Sequence, residues 1–104
     1  MNYEELKEKY DARRVAIALV EAIEKVEEFD NIDDYIILIS RPAMHYLLTE
    51  AENYVIRTEQ LHYFMGVPIW ISRILPEDID FVLMRKKEAN PIIAAEKEWR
   101  SWMQ

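Results

Sequence analysis

The run Tyr35-Ile36-Ile37-Leu38-Ile39 restricts how this chain can fold more than any other feature. It is short, continuous, apolar and rich in β-branched side chains. Successive residues of a strand point to opposite faces, and here neither set is polar. The run therefore reads as a β-strand covered on both faces.

Before it, residues 3–29 read as one long helix. Leu6, Tyr10, Ile17, Val20, Ile23 and Val26 recur at helical steps. Good helix formers fill the intervening positions, with no Gly or Pro to interrupt them. Turn-forming residues from Phe29 to Asp34 end the segment. After the strand, Ser40 is placed to cap a short helix over residues 42–51, with Pro42 in its first turn, where a missing N–H costs little. Met44, Leu47, Leu48 and Ala51 form its apolar stripe.

From Tyr54 the period changes to two, with Tyr54, Ile56 and Thr58 alternating with Val55 and Arg57. Residues 61–65 and 67–72 read as strands separated by Gly66, the only glycine, which marks a turn, a bulge or a close backbone approach. Pro68 implies an edge or a bulge, since proline cannot donate to a ladder. Leu75-Pro76-Glu77-Asp78 reads as a turn and Ile79 to Met84 as a last strand. Arg85-Lys86-Lys87 is expected to be a basic hinge, and Asn90-Pro91 to open a C-terminal helix whose stripe is Ile92, Ala95, Trp99 and Trp102. The expected fold class is α+β in a single domain over residues 1–104. It has a long N-terminal helix, a small, mostly antiparallel sheet of about four strands with one short helix, and a C-terminal helix.

The absence of cysteine excludes disulfides, thiolate catalysis and cysteine-ligated metal sites. The acidic N-terminal residues do not form a signal peptide, and no apolar run is long enough to span a bilayer, so a cytoplasmic protein is expected. Twenty acids against thirteen bases disfavour direct nucleic-acid binding, because phosphate is repelled. The charge is uneven: residues 1–34 carry eleven acids and five bases, and residues 85–104 five bases and three acids.

Local signatures of chemistry are weak. His45 and His62 sit in no nucleophile motif, and Ser40, Ser72 and Ser101 lack the G-x-S-x-G context. The acidic run Glu24, Glu27, Glu28, Asp30, Asp33 and Asp34 breaks the calcium-loop pattern at its second ligand and lacks its glycine. With a single glycine, phosphate-cradling loops are impossible. No enzyme, cofactor or metal is expected. The residues best suited to meet a partner are the aromatic and apolar Trp99, Trp102 and Ile92 of the last helix, and the acids Glu24, Glu27 and Glu28 of the first.

The order of elements from Tyr35 to Met84 is a strand ending at Ser40, a proline-started helix ending in Leu47-Leu48, and a strand closing in Phe64-Met65-Gly66-Val67-Pro68-Ile69. Leu75-Pro76 and the strand Ile79-Asp80-Phe81-Val82-Leu83-Met84 follow. This stretch resembles the C-terminal, peripheral-domain region of HK97-type tailed-phage major capsid proteins. The resemblance covers about half the chain, and the chain lacks the length for the arm, long loop and axial domain that build a shell. It implies an α+β unit of phage or prophage type that packs against neighbouring copies or another protein, in the host cytoplasm or the virion. Self-association as a homo-oligomer is the expected partnership. The alternative expectation, from charge alone, is an acidic DNA-mimic inhibitor of a host nucleic-acid-binding or defence protein.

Overall fold

A computed structural model describes residues 15–76 and 78–103, with the side chains of 100–103 excepted. Helix α1 spans Val15–Glu27, strand β1 Tyr35–Ile39, and helix α2 Arg41–Ala51. Strands β2 (Val55–Arg57), β3 (His62–Phe64), β4 (Val67–Ile71) and β5 (Phe81–Arg85) follow, and helix α3 (Lys86–Met103) completes the order. The part of the expected first helix before Val15, with Leu6 and Tyr10, lies outside the described residues.

The strands form one sheet in the order β2-β3-β4-β1-β5. Only β1 and β4 run parallel; the other neighbours are antiparallel. The sheet has five strands, and the alternating residues after Tyr54 form the first of those that follow α2. All five residues of β1 are buried. Ile37 and Ile39 face α1 and α2, where Leu19, Val20, Ile23, Ala43, Met44, Leu47, Phe64 and Ile69 close the main core. Ile36 and Leu38 face the other way, toward Ala89, Ile92 and Ile93 of α3. The doubly apolar run thus sits between two layers of helix, and each buried isoleucine contributes about 1.5–3 kcal/mol.

Local signals account for several boundaries. Ser40 Oγ accepts the Ala43 N–H at 3.2 Å and caps α2. Met65 (φ 51°) and Gly66 (φ 85°) both lie in the left-handed region, the pair of conformations that closes a two-residue hairpin between β3 and β4.

Two expectations are corrected. Pro68 is neither on an edge nor at a bulge: β4 lies between β3 and β1. The hairpin closes at Phe64 and Val67, so strand alternation turns the Pro68 nitrogen away from β3 toward β1. The parallel register there begins only at Ile37 and Ile69, so the missing donor falls at the first rung of the ladder. The second correction is α3, which starts at Lys86 directly after β5, leaving no basic hinge and placing Pro91 inside the helix. Packing outweighs the lost backbone bond. Ala89, in the first turns, is fully buried against Ile36 and Leu38, and that contact needs helix before Asn90.

Candidate interaction surface

Helix α3 packs over β1 and β5 and onto Trp70 of β4, and among the described residues the β3-β2 end of the same sheet face carries no helix. A cleft of about 870 Å³ opens between them. Its floor is Ile36, Tyr63, Pro68 and Trp70, and its α3 wall is Asn90, Ile93 and Lys97. Tyr63 pairs with Pro68 on β4 and with Ile56 on β2, so the three side chains share a face. Ile56, 63% exposed, continues the apolar strip toward the sheet edge. The Lys97 ammonium stands 5.6 Å from the Trp70 ring centroid, within cation–π range.

One acid fixes this arrangement. Glu96 is only 2% exposed. Its Oε2 accepts the Trp70 indole N–H at 2.8 Å, and its Oε1 accepts the Ser72 hydroxyl in a short hydrogen bond. Both donors come from the C-terminal end of β4, so the carboxylate ties α3 to the sheet and holds the indole at the cleft floor. Paired donors of this kind offset the cost of burying a carboxylate. The sequence reading missed Glu96 and placed Ala95 and Trp99 on the inward stripe. The stripe that packs is Ala89, Ile92, Ile93 and Glu96, while Ala95 and Trp99 face outward. The signal was present in the spacing, since Glu96 lies three and four residues after Ile93 and Ile92.

The residues expected to meet a partner divide between the two sides of the sheet. Trp99 on α3 is 47% exposed. Ile92 is half-buried and packs onto the small cluster beneath α3. Trp102 lies in α3, and its side chain is outside the described residues. Glu24, Glu27 and Glu28 belong to α1 and the turn after it, on the opposite side; Glu24 is half-buried, Glu27 and Glu28 exposed. The fold therefore does not bring Trp99 and the glutamates together.

Among the other acids of that run, Asp30 has a structural role. It accepts the Asn31 N–H at 2.8 Å, the Tyr35 hydroxyl at 2.9 Å and the Arg85 guanidinium at 2.6 Å. The Asn31 N–H above all, then the Tyr35 hydroxyl and the Arg85 charge, hold its carboxyl below the usual carboxylate range. The clamp joins the turn after α1 to the end of β5. His45 is exposed on α2 and His62 half-buried on β3.

A second recess, of about 470 Å³, lies at the C-terminal ends of β1 and β4 and is lined by Ser40, Arg41, Ser72, Arg73 and Asp80 among others. Its hydroxyls are already engaged, Ser40 with the Ala43 N–H and Ser72 with Glu96.

Compared with known proteins, the chain matches no family model, no curated protein and no solved structure. Among the described residues, no helix is long and apolar enough to cross a membrane.

Proposed function

We propose that this chain is a binding and assembly module that holds protein surfaces and performs no covalent chemistry. The half-covered sheet face carries the reading. An aromatic and apolar floor of Tyr63, Pro68 and Trp70, walled by an amphipathic helix and continued by exposed Ile56, suits an inserted protein segment. Trp99, exposed on the same helix, adds a large side chain of the type that anchors interfaces. The resemblance of residues 35–84 to the capsid peripheral domain supports the same reading, since that unit packs against neighbouring subunits. A phage or prophage origin, with work in the host cytoplasm or the virion, follows from the same resemblance.

A photo-crosslinking residue at Tyr63, compared with one at Tyr46 on α2, tests this in producing cells. The reading expects a discrete protein adduct from position 63, absent from position 46 and lost on adding Lys97→Glu. Equal adducts from both positions would refute it.

The acidic-decoy reading has one observation in its favour. Glu21, Glu27, Glu28, Asp33 and Asp34 are all exposed within one stretch at the end of α1. It expects capture of nucleic-acid-binding proteins that falls steeply with salt and is abolished by Glu27→Lys with Glu28→Lys.

A further inference from the structure

Among the described residues, strand β5 is an edge of the sheet, paired with β1 alone. The direction of its backbone groups follows from one bond. The Ser40 N–H donates to the Asp80 carbonyl at 2.9 Å, so Asp80 faces β1. Alternation then turns Val82 and Met84 toward β1 as well, and the N–H and C=O of Phe81 and Leu83 away from the sheet. Among the described residues, nothing bonds to these outward groups.

Exposed edges are ordinarily blunted by charge, proline, bulges or shortness. The opposite edge, β2, has three residues and ends in Arg57. By contrast, β5 has five residues, and the four before its own terminal Arg85, Phe81-Val82-Leu83-Met84, contain no charge and no proline. Its flanks differ in sign: Asp78 and Asp80 precede it, and Arg85, Lys86 and Lys87 end it. A strand acidic at one end and basic at the other complements a second copy of itself laid antiparallel.

We propose that two copies of this chain join through β5, antiparallel, about a two-fold axis at Leu83. This rests on reading the chain as an assembly module. Backbone alternation and strand overlap select the register. Outward-facing residues must lie opposite one another, so the axis falls on a residue and not between two, and at Leu83, the middle of β5, it pairs all five strand residues. With the axis at Leu83, Asp80 of each copy lies opposite Lys86 of the other, and both residues are exposed. An axis at Phe81 sets Asp80 against Val82, and one at Arg85 sets that cation against itself. Arg85 is in any case held by Asp30 and lies 6.0 Å from the Tyr35 ring centroid. The product is one continuous sheet across the dimer, with an acid–base pair at each end of the seam.

Light scattering on the full chain, supported by hydrogen exchange, tests the proposal. The wild type should have twice the 12.5 kDa chain mass, and the Phe81 and Leu83 amides should be protected at high concentration and exchange at low. Asp80→Lys should weaken the dimer roughly tenfold by replacing two attractions with repulsions. The double swap, Asp80→Lys with Lys86→Asp, should restore it. A monomeric wild type, or unprotected Phe81 and Leu83 amides in a dimer, would overturn the proposal. A dimer indifferent to Asp80→Lys, or a double swap without recovery, would overturn the register. A monomer that still crosslinks a partner from Tyr63 would remove the β5 pairing and leave the binding-module reading standing. A β5 dimer with no adduct at Tyr63 would do the reverse.

Discussion

The two faces of the sheet are built on different principles. The face under α1 and α2 is closed chiefly by apolar side chains, with Phe64, Leu47, Leu19 and Ile37 wholly buried, and its buried Glu50 accepts the Ala16 N–H between the two helices. The face under α3 has a small apolar cluster and, beside it, a buried carboxylate holding an indole and a hydroxyl. Contact on the first face comes from the hydrophobic effect, which is non-directional. On the second, directed hydrogen bonds join a small apolar cluster in fixing where α3 lies, and among the described residues β3 and β2 beside it carry no helix. A face that is to receive a partner gains from this, because its floor is held in place without being covered.

Substitutions at four positions sharpen or break this contrast. The largest effect belongs to the closed face: Phe64→Ala should cost about 3–5 kcal/mol, read as a shift in the urea midpoint. A loss under ~1 kcal/mol would mean that this core is loosely packed. On the open face, Glu96→Ala should cost about 1–3 kcal/mol by leaving the Trp70 and Ser72 donors unpaired. Glu96→Gln keeps one acceptor and should lose less; if the two variants match, directed bonds do not hold α3. At the rim of the cleft, Gly66→Ala should cost about 1–2 kcal/mol through its left-handed φ alone, since a Cβ there meets nothing within 4 Å. Gly66→Asn should recover part of that in thermal unfolding.

The smallest effect is at the Asp30 clamp, common to neither face. Folding lowers the Asp30 pKa, so its contribution is present above the unfolded value of about 3.9 and lost as pH falls through the lower folded value. Asp30→Asn should therefore lower the melting temperature slightly at pH 7, by an amount that shrinks as pH falls below about 3.9. A difference that does not shrink on acidification would show that the carboxylate charge is not what the clamp uses.

Much of this architecture was legible in the residues. The Ser40 cap, the Gly66 turn, the α2 stripe and the double burial of β1 each follow from a local signal, and each is where that signal placed it. The errors fall where a local rule competes with a distant contact. Asn90-Pro91 is a sound helix start by local chemistry, yet Ala89 docking on Ile36 and Leu38 extends the helix back to Lys86. Pro68 reads as an edge residue until β1 arrives beside β4 with a register that begins one residue later. Glu96 reads as solvated because its two donors lie 26 and 24 residues away along the chain. The exposed Trp99 and the cleft beside Trp70 depend on where α3 settles, which no local pattern states.

The sequence alone determined the succession of elements, because periodicity, capping and turn chemistry act within a few residues and are written in neighbouring side chains. Tertiary structure alone decided the strand order, where α3 packs and, among the described residues, the uncovered β3-β2 end of one face and the β5 edge. Those depend on contacts between segments far apart in the chain, where packing and burial energies exceed local preference.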